Sequence, residues 1–106
     1  VIEEHFREKR ETSGSALKIA EKLGLDPVKH INSIRVGGIV GKHEVVFGLK
    51  NQTIRIAHDV ISRGAFGAGA LFAARNLLHK DNGFYTMEEI MREAFIQKIA
   101  VNNILA

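Results

Sequence analysis

Thr53-Ile54-Arg55-Ile56-Ala57-His58 alternates apolar and polar side chains, and this alternation constrains the fold more than any other feature of the chain. A repeat of two is that of a strand with one face buried, so the chain must build a sheet and something to cover it. His43-Glu44-Val45-Val46-Phe47 is a second extended run, and Lys50-Asn51-Gln52 turns from it into the first. Pro27 resets the chain for a third, through His30-Ile31-Asn32-Ser33-Ile34-Arg35-Val36. Gly37, Gly38 and Gly41 interrupt these runs and read as a bend or bulge between paired strands. Val1-Ile2 begins on what reads as the end of a further strand.

Elsewhere the apolar spacing is helical. Ser13-Gly14-Ser15 opens a helix over about 15–23 through Ala16, Leu17, Ile19, Ala20 and Leu23, which Gly24 closes. Phe66, Ala70, Ala73, Ala74, Leu77 and Leu78 define a second helix. Thr86-Met87-Glu88-Glu89 is a capping box that announces a last one through Ile90, Met91, Ala94, Phe95 and Ile99. Three or four strands with about three helices predict an α+β fold: an open mixed sheet with helices packed on one face and the other face used for oligomerisation. Val45-Val46-Phe47 and Thr53-Ile54-Arg55-Ile56 put apolar residues at neighbouring positions, giving both faces something to bury, and Ile96, Ile99, Val101, Ile104 and Leu105 in the tail either meet a neighbouring chain or fold back on the chain's own core.

At 106 residues with 45% hydrophobic content, residues 1–106 form one globular domain. The net charge of +3 is spread along the chain, with acidic residues interleaved among Arg7, Lys9 and Arg10. That pattern suits a small acidic ligand and argues against nucleic acid, which usually wants a continuous basic stripe with stacking aromatics. No Cys is present, which excludes disulfides and thiolate chemistry. No apolar run approaches the roughly 20 residues that span a bilayer and no signal peptide is visible, so no membrane partner is expected and the chain reads as cytoplasmic. His5, His30, His43, His58 and His79 lie too far apart for paired ligand spacing, so no metal site is expected.

Chemistry concentrates in residues 5–15. His5 and Lys9, four apart, share a side in either an extended or a helical backbone. Ser13-Gly14-Ser15 leads into a helix start, where unpaired N–H groups at the positive end of the helix dipole form an anion site. The same residues also read as a polar loop before a Ser-capped helix. Ser62 and Thr12 read as caps or turn formers, and His43 and His58 as packing within the sheet. Two glycine patterns are refused. Val36-Gly37-Gly38-Ile39-Val40-Gly41-Lys42-His43 lacks the first Gly and the final Ser or Thr of a phosphate loop. Gly67-Ala68-Gly69-Ala70-Leu71-Phe72 has Phe72 where a dinucleotide fingerprint needs a small residue.

Four blocks occur in order: Glu3-Glu4-His5 with Lys9 and Ser13-Gly14-Ser15-Ala16; Ile34 to Phe47 with Arg35-Val36-Gly37-Gly38; His58 to Ala70 with Ser62-Arg63-Gly64; and Gly83-Phe84-Tyr85-Thr86-Met87. Together, over about residues 1–91, they strongly resemble the C-terminal domain of dihydrodipicolinate reductase (4-hydroxy-tetrahydrodipicolinate reductase), whose fold is shared with the C-terminal domain of glyceraldehyde-3-phosphate dehydrogenase. The resemblance implies an oxidoreductase of the diaminopimelate route to lysine. It implies a homotetramer assembled through the sheet, a cyclic dicarboxylate substrate, and NADPH or NADH bound mainly by an N-terminal Rossmann domain absent from this chain. It casts His5 as the catalytic acid/base and Lys9 as proton donor, with Gly14 and Ser15 binding a substrate carboxylate and Arg63 near that pocket. Phe6 occupies a substrate-contact position where the family normally has a second His, and Glu11-Thr12-Ser13 is one residue shorter than the usual Asp-Ala-Pro-Ser. The alternative is a noncatalytic dicarboxylate-binding or oligomerisation module of the same fold. By itself the chain is expected to be inactive.

Overall fold

A computed structural model describes the backbone of residues 1–105 and the side chains of residues 1–98. The tail residues Ile99, Val101, Ile104 and Leu105, expected to add apolar surface, lie outside the described side chains. The chain divides into two compact units, Val1–Ala65 and Phe66–Ala106.

The first unit carries the sheet. Its strands are β1 (Ile2–His5), β2 (Asn32–Arg35), β3 (Gly41–Leu49) and β4 (Gln52–Val60), in spatial order β2-β1-β3-β4. β1 and β2 run parallel and the other pairs antiparallel, so the sheet is mixed and open, and with its helices the fold is α+β, as expected. β3 and β4 are joined by Lys50-Asn51, and Asn51 takes a left-handed φ of 62°, which Asn tolerates better than most residues.

α1 (Gly14–Lys22) begins where Ser13 Oγ accepts from the Ala16 N–H. It ends in Gly24 at φ 67°, with Gly24 and Leu25 N–H groups returning to the carbonyls of Glu21 and Ala20. Its buried side chains, Ala16 and Ala20, are small, which lets the helix lie close to its neighbours. The extended run expected from His30 starts later, at Asn32. Pro27–His30 is instead one helical turn, α2, because Asp26 Oδ1 accepts from the Val28 N–H at 3.0 Å and Pro27 needs no donor there.

Residues paired across a ladder point to the same side. One face therefore carries Glu3 and His5, Ser33 and Arg35, and Gly41 and His43. Farther along the same face are Val45, Phe47, Ile54 and Ile56, with Ile56 63% exposed. The opposite face is charged. Lys42 reaches Glu4 at 3.5 Å and Glu44 at 3.7 Å, and Arg55 pairs with Glu44, so Val46 sits there among ion pairs. The exposed apolar surface of β3 and β4 is thus on the face that carries Glu3 and His43.

The second unit holds α3 (Gly64–Leu77) and α4 (Met87–Leu105). α3 begins just inside the first unit. Thr86 and Glu89 close the expected capping box, with Glu89 Oε2 accepting from the Thr86 N–H at 2.7 Å and Thr86 Oγ1 from the Glu89 N–H at 3.2 Å. Ala68, Gly69 and Phe72 of α3 and Met91, Ala94 and Phe95 of α4 border an apolar groove, and Ile90 is buried. None of the described helices is long and apolar enough to cross a membrane.

The left-handed turn residue makes a direct test. Asn51→Gly should leave stability nearly unchanged, whereas Asn51→Val should lower it by about 1–2 kcal/mol, the cost of forcing a β-branched residue left-handed. Urea unfolding of the two variants measures the difference.

Candidate active site

The site is built at the end of the sheet where β1, β2 and β4 finish and β3 starts. Alternation puts Glu3 and His5 on one face of β1, and the parallel register sets Arg35 beside His5. Glu3 is fully buried. Its carboxylate receives the Arg35 guanidinium at both oxygens, Nη2 to Oε1 at 2.6 Å and Nη1 to Oε2 at 2.9 Å. His5 Nδ1 lies 2.5 Å from Oε2, and the Ser13 N–H donates to Oε1 at 3.4 Å. Burial pushes this carboxyl up, but hydrogen bonds from Arg35, Ser33, His5 and the Ser13 backbone outweigh it and hold it at about 2.

Arg35 does more than neutralise Glu3. Its Nε donates to the Lys9 carbonyl at 2.9 Å and Nη2 donates to the Glu11 carbonyl at 2.9 Å. The loop between β1 and α1 is therefore held to β2. Arg7 N–H adds a bond to the Gly37 carbonyl at 2.9 Å, so this loop and the β2–β3 turn brace one another. That turn is left-handed at Gly37, with φ 50°. The expected interruption thus falls at Gly37-Gly38, while Gly41 belongs to β3. There a Cβ would stand 3.2 Å from His5 Nε2, so the missing side chain leaves space for the imidazole.

His43 closes the other side. Its ring meets His5 edge-on, with centroids 5.3 Å apart, and its Nε2 shares a 2.7 Å hydrogen bond with Ser13 Oγ. Burial, and after it the neighbouring His5, lower its pKa. It bonds to the start of α1, where packing within the sheet was expected. His58 lies directly opposite it on β4.

Of the residues proposed from sequence, His5, Phe6, Lys9, Gly14 and Ser15 lie on the strand, loop and helix start that build this cluster. His5 is at its centre. Phe6 follows directly, and its carbonyl accepts from the Lys9 N–H at 3.2 Å. The Lys9 ammonium pairs with Glu11 at 2.9 Å. Gly14 and Ser15 open α1 immediately after Ser13, and their N–H groups have no intrahelical acceptor. Arg63 is exposed in the link that leaves β4 three residues beyond Val60, which pairs with Gly41. In the same link Ser62 Oγ accepts from the Gly64 N–H at 3.2 Å, the capping role expected of it. Glu3, Ser13, Arg35 and His43 join the site only in the folded structure. A signal existed for Glu3, since Glu3-Glu4-His5 in a strand puts an acid and a histidine on one face. Arg35 gave none, because only strand pairing brings it there.

Neither refused glycine pattern builds a nucleotide site. Val36 to Val40 joins two strands, with β3 and no helix after it, and Gly67 and Gly69 lie inside α3 rather than in a turn before it. Among the described residues no group of three potential metal ligands comes together.

Residues 1–91 match the family model described as "Dihydrodipicolinate reductase, C-terminus". A 4-hydroxy-tetrahydrodipicolinate reductase of Thermosipho africanus is 44% identical over 92 residues, covering 87% of this chain and 42% of the relative. One from Caldanaerobacter subterraneus is 34% identical over 114 residues, covering 88% and 45%. Among solved structures, dipicolinate-bound dihydrodipicolinate reductase from Paenisporosarcina sp. TG-14 superposes with a TM-score of 0.70 at 22% identity, over 82% of this chain and 42% of that one, a likeness of fold. The chain spans less than half the length of these relatives.

Glu3 makes stability depend on acid. A carboxyl whose pKa falls from 4.5 unfolded to about 2 folded contributes stability that is complete above pH 4.5 and lost as pH drops toward 2. Between pH 6 and pH 3 this one group should remove about 2 kcal/mol of unfolding free energy. Urea unfolding at the two pH values measures the loss, and the carboxyl-carbon NMR signal of Glu3 should still be that of the ionised form at pH 3.

Proposed function

Since this chain belongs to the dihydrodipicolinate reductase family, as its C-terminal domain, we propose that it is the substrate-binding and tetramer-forming part of a 4-hydroxy-tetrahydrodipicolinate reductase acting in the cytoplasm on the diaminopimelate route to lysine. The observation that carries this reading is the meeting, at one end of the sheet, of a histidine backed by a buried carboxylate with the open N-terminus of α1.

Reduction of a cyclic dicarboxylate needs a hydride and a proton. The hydride is supplied by NADPH or NADH held mainly outside this chain, and the described residues contain no dinucleotide cradle of their own. The proton is this chain's task. Imidazole is the side chain best matched to proton transfer near neutrality, and His5 presents one with Nε2 unencumbered by Gly41. Lys9 supplies a second donor and a positive charge. One substrate carboxylate sits on the N–H groups of Gly14 and Ser15 at the positive end of α1. Arg63 meets the other as a charge-assisted partner. Phe6 gives the pocket an apolar wall where a hydrogen-bonding histidine is usual in the family.

Tetramer formation draws on the apolar residues that β3 and β4 expose, Phe47, Leu49, Ile54 and Ile56. Burying such a patch against other copies is favourable by roughly 25 cal/mol per Å².

In the complete reductase, His5→Ala and Lys9→Ala should each lower turnover by on the order of 10²–10⁴-fold with cofactor affinity little changed. Arg63→Ala should mainly raise the KM for the dicarboxylate. Steady-state kinetics distinguishes the two classes, and near-normal turnover in His5→Ala across the pH range would reject the proton role. The isolated 106-residue chain should transfer no hydride from NADPH. Ile56→Asp should convert a tetramer to smaller species in sedimentation, and a wild-type monomer at tens of micromolar would reject the assembly.

A further inference from the structure

We infer that Glu3 and Arg35 are a positioning pair: Glu3 fixes which nitrogen of His5 exchanges its proton, and Arg35 ties that carboxylate to the loop carrying Lys9. The inference rests on the reading of His5 and Lys9 as proton-handling groups and adds what sets them.

A neutral imidazole carries one proton on either of two nitrogens, and only the bare nitrogen can accept another. Glu3 is fully buried, and both of its oxygens receive N–H groups from Arg35. A carboxylate in that fork is an acceptor only, so His5 Nδ1, at 2.5 Å from Oε2, has to be the donor. The ring is thereby held in its Nδ1–H form, which leaves Nε2 to give and take the proton. Nε2 is also the atom over Gly41, where a side chain would crowd it at 3.2 Å.

The same guanidinium reaches the carbonyls of Lys9 and Glu11, both at 2.9 Å. One residue of β2 thus holds the orientation of His5 on β1 and the backbone from which Lys9 projects. Stability alone does not call for this arrangement. A buried ion pair is often no better than two apolar side chains of similar volume, and nothing in a purely structural pair requires a third bond to a histidine. The charged and titratable groups around the ring are Glu3 on β1, Arg35 on β2 and His43 on β3, with Lys9 and Glu11 on the loop clamped by Arg35 and His58 beyond His43.

The test uses the complete reductase labelled with ¹⁵N-histidine. At a pH where His5 is neutral, its nitrogen shifts should report the Nδ1–H tautomer, and an Nε2–H ring in the wild type would overturn the proposal without any mutation. Glu3→Gln, nearly isosteric, should lose that tautomer and lower kcat about 10- to 100-fold, part of what positioned proton transfer contributes, while KM for the dicarboxylate stays within about threefold. Arg35→Lys keeps the charge but loses the fork and the loop bonds, and it should also lower kcat; it serves as the second variant should Glu3→Gln fail to fold. A folded Glu3→Gln enzyme with unchanged kcat, beside an inactive His5→Ala enzyme, defeats the positioning role alone. An active His5→Ala enzyme defeats the proton role beneath it, and the wild-type tautomer then decides whether Glu3 sets the ring.

Discussion

A carboxylate with no exposed surface, Glu3, is the point on which the first unit depends. Burying an ion without partners costs far more than a small domain has to spare. Glu3 is tolerable because Arg35, His5, Ser13 and Ser33 between them supply donors to both of its oxygens. Those donors come from β2, from β1 itself and from the start of α1. The need to satisfy one side chain therefore specifies where three elements sit. It also explains why removing a single partner should be more damaging than breaking a pair on the opposite face, where Lys42 and Glu44 are half-buried and Arg55 is exposed.

The same network fixes two imidazole rings. His5 and His43 pack edge-on, His5 tied by a hydrogen bond to Glu3 on the same face of the sheet and His43 to Ser13 at the start of α1. Rings held in this way lose little freedom when a ligand arrives, which is the condition for efficient proton transfer. The loop that carries Lys9 holds no proline, and the two hydrogen bonds of Arg35 to its carbonyls restrain it. The helix start offers the N–H groups of Gly14 and Ser15 beside this fixed cluster, so an oriented imidazole and the positive end of a helix share one end of the sheet.

Local chemistry made much of this legible in the chain. Alternation at 53–58 specified β4, the Thr86–Glu89 box specified the start of α4, and Ser13 with Gly24 bounded α1 to within a residue, since each is decided by neighbours in sequence. The block order from Glu3 to Met87 identified the family. Pro27 is the misleading signal: it reads as the start of an extended stretch, but Asp26 caps the turn that Pro27 starts, and the strand waits until Asn32.

Tertiary structure alone decided the rest. His5 could be picked as a titratable group near an anion site, but not which of its nitrogens is engaged. That depends on Glu3 being ionised, and Glu3 is ionised because parallel pairing of β1 with β2 delivers an arginine from 32 residues away. Likewise Gly41 read as a break between strands until pairing placed it under the imidazole, and His43 as a sheet residue until the return of the chain set Ser13 against it. Sequence by itself determined most of the elements and the family, and pointed to His5 as a titratable group, because those rest on local periodicity and motif. The partners that orient the carrier were decided only by the fold, because electrostatics and hydrogen bonding act over a few ångströms of space and the residues involved are distant along the chain.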